Sequence, residues 1–297
     1  MGVQARLVLY APDSSAAEAA ARAAFARIGD LDSIMSNYRP ASELSLLSTR
    51  AYGKAVHVSD DLFAVLRRAQ LLASISGGTF DVTVGPYARL WREARQMGRL
   101  PDPDALARAS KTVGWRKVRL DTRARSVELT APGMQLDLGG IAKGYAADEA
   151  LKTLRRHGVR SALVEMGGDI VVGDPPPGTE GWRIEIENAP VGEQVVQLAN
   201  SAISSSGDTS QYVEIGGKRY SHILDPRTGI GLTNRVAVTV IAPDGLTSDG
   251  LSTTLSVLSS ERGSALVRRY FPKIRVYVRG DRTNRASVST RPGNTAP

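Results

Sequence analysis

The chain has 297 residues, of which 42% are hydrophobic and 23% charged, an ordinary balance for a globular protein with a sizeable core in one large domain or two modest ones. It has no cysteine, which excludes disulfides, thiolate zinc sites and cysteine nucleophiles, and no stretch approaches the roughly 18 consecutive apolar residues of a membrane span. The net charge of +8 favours anionic partners, but aromatics are only 5% and are not interleaved with basic runs, which argues against a nucleic-acid stacking platform.

Val3–Tyr10 (VQARLVLY) reads as a strand, and Ser14–Met35 carries alanines and apolar residues at helical spacing behind a capping serine. Ser59 caps a second helix, Asp60–Ser76, which stops at Gly77-Gly78. Asp102–Ser110 opens Asp-Pro-Asp and predicts a short helix. Val118–Leu120 and Ser126–Leu129 form a hairpin across DTRAR, followed by an extended segment over Gln135–Leu138. Tyr145–His157 is helical, and Ala162–Glu165 and Ile170–Val172 are strands joined at Gly167-Gly168. Asp174–Gly178 (DPPPG) is a loop. Arg183–Glu187, Val195–Leu198, Val213–Ile215 and Ala237–Ala242 alternate as strands. Ser248–Ser260 is a helix of mostly small residues, and Arg275–Val278 a last strand. From residue 281 onward the polar, aperiodic composition predicts a disordered basic tail, 281–297, behind one domain spanning 1–280. Strands and helices without regular alternation point to an α+β fold.

"LDLGGIAKGYAAD" (Leu136–Asp148) places a carboxylate, three glycines and Lys143 within a few residues. It fits neither the dinucleotide fingerprint nor the P-loop, since the glycine spacing fails and Gly144 is followed by Tyr145. Bare main chain ahead of a helix still favours an anion, and Lys143 adds a charge; a glycine-rich strand-to-helix turn with a surface lysine is the plain structural alternative. Gly167-Gly168-Asp169 is a second bare turn, and "SAISSSGDTSQY" (Ser201–Tyr212) a third, rich in hydroxyls. "TSDGLSTTL" (Thr247–Leu255) sets Asp249 and Thr253 four apart on one helical face, a hard oxygen pair suited to Mg²⁺ held jointly with a phosphate. The alternatives are a first-turn acid serving the helix dipole and a buried small residue. His222 shares "SHILDPRTG" (Ser221–Gly229) with Asp225 and Arg227, whereas His57 in a strand and His157 at a helix end read as structural. A Ser–His–Asp hydrolase using Ser205 or Ser206 lacks the G-x-S-x-G elbow.

Together these segments resemble, in order, the motifs of the ApbE family of FAD:protein FMN transferases: "LDLGGIAKGYAAD", "LVEMGGDI", "SSSGD", "HILDPRTG" and "SDGLSTT", with "SNYRPASELS" (Ser36–Ser45), "GGTFDVTVGPYARLW" (Gly77–Trp91) and "VGWRKVRL" (Val113–Leu120) upstream. The resemblance runs from residue 1 to about Val278. It implies an α+β, T-fold-like architecture of mixed sheets with helices and a central FAD cleft. It also implies Mg²⁺-dependent transfer of FMN from FAD onto a threonine hydroxyl of a target flavoprotein, releasing AMP. By the same resemblance Asp249, Thr253 and the main-chain carbonyl of Gly140 are metal ligands. Met1, Tyr38, Thr79, Phe80, Asp81, Asp137, Lys143, His222 and Ile223 are expected to contact FAD. The chain departs from the family pattern at Val3, where threonine is usual, and at Ser48, where asparagine is usual. Tyr38 resembles transferase-type members, while FAD-hydrolysing ones carry a smaller polar residue there.

Lys143, and secondarily Arg227, are expected to add positive charge on the pyrophosphate. Either Asp249 or His222 can serve as the general base, histidine because its ordinary pKa lies near 6.5. Two other functions remain: an Mg²⁺-dependent FAD pyrophosphatase yielding FMN and AMP, and an FAD-binding protein without catalysis. Family members are usually exported, so a periplasmic or inner-membrane location is expected once a leader is removed. No leader is visible here, and the cytoplasm is the alternative.

Overall fold

The computed structural model describes residues 2–187, 189–190, 192–207, 212–280 and 286–289, the last four by their backbone alone. The chain opens with β1 (Ala5–Leu9), α1 (Ser14–Met35), α2 (Glu43–Arg50), β2 (Val56–His57) and α3 (Asp60–Ser76). Asp13, not the serine after it, caps α1 by accepting from the Ala16 amide, because Ser14 is already helical and the short carboxylate of the extended residue before it reaches forward to the free amides of the first turn. Ser59 caps α3 and Gly77 ends it in the left-handed conformation that glycine adopts without strain. Next come α4 (Gly85–Met97), α5 (Pro103–Ser110) capped by Asp102, and the hairpin β3 (Val118–Asp121) and β4 (Ser126–Leu129), which β2 extends to three strands. Gln135–Leu138 joins no sheet; this segment is held instead by amide bonds from Asp137 to the Val82 carbonyl and from Leu136 to the Ser48 hydroxyl. The serine that replaces the expected asparagine therefore still anchors the motif.

The second half forms α6 (Ala142–Arg156), β5 (Ala162–Met166), β6 (Asp169–Val172), β7 (Trp182–Glu185), β8 (Val195–Leu198) and β9 (Ser201–Ser206). It continues with β10 (Tyr212–Ile215), β11 (Lys218–Ser221), β12 (Leu224–Asp225), β13 (Ile230–Gly231), β14 (Ala237–Ala242), α7 (Gly245–Val257), α8 (Ser260–Tyr270), β15 (Arg275–Arg279) and β16 (Ala286–Ser289). Among the described residues the main sheet has seven strands in the order β1-β5-β6-β9-β14-β15-β16, every neighbouring pair antiparallel. Both of its faces are covered. Ala162, Val164, Met166, Ala202, Val238 and Val240 belong to the core shared with α1, α3, α6 and α7. The alternate residues Leu163, Ile203, Ile241 and Tyr277 pack under Trp182, Ile184, Val196 and Leu198 of the β7–β8 hairpin. That is why β14 is apolar and buried almost throughout rather than alternating with water.

Several sequence expectations change. Ser201–Ser206 is not a bare turn but β9, a central strand: Ser204 and Ser206 meet the hydroxyls of Ser248 and Ser252 at 2.8 Å, so α7 supplies the partners that let serines lie inside a sheet. The predicted helix Ser248–Ser260 is α7, which begins at Gly245 and ends at Val257, with a separate α8 following. Of the tail predicted to be disordered, Ala286–Ser289 pairs with β15 as an edge strand, while 281–285 and 290–297 lie outside the described residues. No helix among the described residues is long and apolar enough to cross a membrane.

Candidate active site

The site begins where α6 and α7 cross. A Cβ on Gly144 would stand 2.0 Å from the Gly245 carbonyl oxygen, and one on Gly245 would stand 2.4 Å from the Gly144 carbonyl oxygen. Only two glycines let these helices touch backbone to backbone. The bare main chain at Gly144 therefore serves helix packing, not the approach of a ligand. Asp148, one turn further along α6, accepts from the Gly245 and Leu246 amides at 2.7 and 2.9 Å and so ties α6 to the start of α7. Burial pushes the Asp148 carboxyl up to about 6 against the opposing pull of those two amides.

The crossing brings Lys143 of α6 beside Asp249 of α7. The Lys143 ammonium lies 3.3 and 3.4 Å from the two Asp249 oxygens, and the Gly144 amide donates to Asp249 Oδ2 at 3.0 Å. The same ammonium lies 2.5 Å from Asp169 Oδ2 at the start of β6, at an angle that leaves that oxygen without a regular hydrogen bond. Burial works against the lysine's charge, but Asp249 and Asp169 outweigh it and raise its pKa. Asp169 is pushed up first by burial and then by the Asp249 charge. Asp249 is 1% exposed and Asp169 3%. Two buried carboxylates thus share one ammonium, which leaves an excess of negative charge where the sequence suggested a basic cradle.

Lys143 and Asp249 open into a cleft of about 950 Å³ that also holds Thr253, Gly140, Asp137, Tyr38 and His222 in its lining. Thr253 stands against Gly140 closely enough that a Cβ there would meet its Oγ1 at 3.0 Å, and its hydroxyl lies 3.4 Å from that of Ser206. Asp137 is oriented by the Asn37 amide at 2.6 Å and the Gly139 N–H at 2.8 Å. Tyr38 is 68% exposed, with the Arg92 guanidinium 4.9 Å from its ring centre. Ile223 is buried in the wall, while His222 next to it presents an exposed ring.

Some candidates stand differently from the expectation. Asp81 lines the cleft, but its carboxylate already accepts from the Thr83 amide and hydroxyl and from the Trp115 amide, so it holds the Thr79-Phe80-Asp81 turn in shape. Arg227 does not line the cleft; it makes a two-pronged ion pair with Asp225 at 2.8 and 2.7 Å. This fixes the turn after His222 and leaves no charge to spare for a phosphate. Asp225 is so bound, and Ser205 and Ser206 are paired to the hydroxyls of Thr239 and Ser252, so these three residues are not arranged with His222 as a Ser–His–Asp triad. His57 meets the Ala124 carbonyl and His157 closes α6, both structural roles. Met1 lies outside the described residues. Asn37 and Asp169 escaped the sequence reading as site residues. The Gly-Gly-Asp turn was the signal for Asp169.

The donors suit a hard divalent cation. Asp249 and Thr253 offer side-chain oxygens and Gly140 a carbonyl, and a second acid, Asp169, competes with Asp249 for the one ammonium beside them, which favours further positive charge nearby. Among the described residues no three His, Cys, Asp or Glu side chains converge, so such an ion would need the carbonyl, the hydroxyl and oxygens of a bound substrate as well.

A sequence profile of the ApbE family matches residues 1–278. The FAD:protein FMN transferase of Haemophilus influenzae is 33% identical over 263 residues, covering 85% of this chain and 76% of that protein. The one from Treponema pallidum is 32% identical over 307 residues, covering 97% and 85%. The solved flavin transferase ApbE from Vibrio cholerae superposes with a TM-score of 0.85 at 30% identity, over 98% of this chain and 95% of that one. The apo flavinyl transferase ApbE from Pseudomonas stutzeri gives 0.81 at 30% identity, over 97% and 95%.

Proposed function

The chain belongs to the ApbE family, and from that premise we propose that it is an FAD:protein FMN transferase that moves FMN from FAD onto a threonine hydroxyl of a target flavoprotein and releases AMP. The observation that carries this reading is the convergence of Asp249, Thr253, Gly140, Lys143 and His222 on one cleft large enough for a dinucleotide. In the reaction the threonine oxygen attacks the phosphorus of the FMN half. The bond from that phosphorus to the bridging oxygen breaks, and the bridging oxygen leaves with AMP. The threonine proton must go to a base. His222 suits that task better than Asp249, because it is exposed on the cleft wall, within reach of an incoming hydroxyl, whereas Asp249 is 1% exposed.

Asp249, Thr253 and the Gly140 carbonyl would hold Mg²⁺, which when bound supplies neutralisation of charge on the pyrophosphate. Lys143 would keep its ammonium on the cleft wall beside that site, while the Gly144 amide fixes the Asp249 carboxylate. Tyr38, Asp137, Phe80 and Ile223 would bind and orient FAD, as would Met1, and Asp81 would act by holding its turn. Mass spectrometry of a candidate flavoprotein after incubation with the enzyme, FAD and Mg²⁺ tests the proposal. A gain of one FMN on threonine is expected; release of FMN and AMP without any acceptor protein would replace transfer with hydrolysis.

A further inference from the structure

Resting on the reading of Asp249 as a cation ligand, we propose that Asp169 is a positioning residue that draws Lys143 away from Asp249 and so keeps the Asp249 carboxylate available to the cation. The geometry is unequal. The ammonium sits 2.5 Å from Asp169 but 3.3 and 3.4 Å from the Asp249 oxygens. Asp169 is 3% exposed and lies behind the lysine, outside the lining of the cleft, while Asp249 faces into it. An ammonium with only Asp249 for a partner would close onto it and compete with a divalent ion for the same oxygens, since both are drawn by one charge over a few ångströms of buried space.

The backbone fixes Asp169 in this role. Met166 and Asp169 pair across a two-residue turn whose Gly167 and Gly168 have φ of +57° and +92°, the pattern of a tight hairpin that sets register. A Cβ on Gly167 would meet the Val3 side chain at 2.9 Å, so the N-terminal segment presses on the same turn. The Gly-Gly-Asp signature thereby has a physical purpose: the glycines hold the hairpin, and the hairpin holds the acid beneath Lys143.

Binding of Mn²⁺ as the probe, followed by electron paramagnetic resonance on the full chain with and without FAD, tests this apart from turnover. Asp169→Asn is expected to weaken Mn²⁺ binding by about 10–100-fold, the usual effect of losing a group that orients a ligand. Lys143→Met is expected to bind at least as tightly as the native chain. Adding Lys143→Met to Asp169→Asn should restore most of the lost affinity, a rescue that general damage to the fold would not give. If the double variant binds as weakly as Asp169→Asn, Asp169 is itself a ligand and the proposal falls. It falls alone if the native chain binds Mn²⁺ in an Asp249-dependent way and Asp169→Asn binds equally well. If the native chain shows no Asp249-dependent binding, the cation reading falls and takes the proposal with it.

Discussion

Two glycines four residues apart in one motif do different work, and a single added methyl separates them. At Gly144 the new carbon would face the Gly245 backbone at 2.0 Å, which cannot move without parting α6 from α7. Gly144→Ala should therefore cost about 3 kcal/mol and lower the melting temperature by on the order of 5–10 °C. At Gly140 the neighbour is the Thr253 side chain at 2.9–3.0 Å, which can shift by a few tenths of an ångström. Gly140→Ala should leave the melting temperature within a degree or two, and equal losses in the two variants would contradict this division of roles. His222 supplies a second test at the same scale. Its exposed ring carries the proton in the proposed reaction, so His222→Ala should lower turnover by about 10²–10⁴-fold. FAD affinity, measured by flavin fluorescence, should stay nearly unchanged; a parallel loss of affinity would make His222 a binding group instead.

At the scale of elements, α7 is the part that the site depends on, and it is held by an acid from another helix. Asp148 is buried, with its carboxyl raised to about 6 from an ordinary value of 3.8. A carboxyl raised on folding binds its proton more tightly in the folded chain. Its contribution to stability is complete below about pH 4 and is lost as the pH climbs through 6. Asp148→Asn removes this dependence, so the stability of the variant relative to the native chain should improve by up to about 3 kcal/mol between pH 4 and pH 7. Urea unfolding at the two pH values measures the difference, and an unchanged gap would contradict the shift. The type of α7 was legible from its small residues, but its start was not. A helix that begins on glycine and is capped by Asp244 and by Asp148, almost a hundred residues earlier in the chain, shows no local apolar spacing to mark its first turn. The strand β9 was hidden for a related reason. Serine favours turns when the backbone is its only partner, and its partners here are hydroxyls on α7.

Across the whole molecule, a seven-stranded sheet gathers the site from segments far apart in sequence. β6 carries Asp169, β9 carries Ser206, and the two are neighbours in the sheet although some thirty residues separate them, while α7 lies across their buried face. The motifs and their order were readable in the chain; the sharing of Lys143 between two acids was not, because it arises only when α6, α7 and β6 meet. That sharing also reverses the inference from net charge. The chain carries +8 overall, yet its deepest charged cluster holds two carboxylates for one ammonium. Uncompensated charge away from water destabilises the fold, and a divalent cation that binds only the folded chain relieves it. Binding at a hundred times the dissociation constant adds about 2.7 kcal/mol to stability. Mg²⁺ at millimolar concentration should therefore raise the melting temperature of the native chain by on the order of 5 °C. The same addition should leave Asp249→Ala unmoved, because that variant loses the principal ligand and has a balanced Lys143–Asp169 pair in its place. A native melting temperature indifferent to Mg²⁺, or an equal rise in the variant, would show that the buried acids are not arranged to receive the ion.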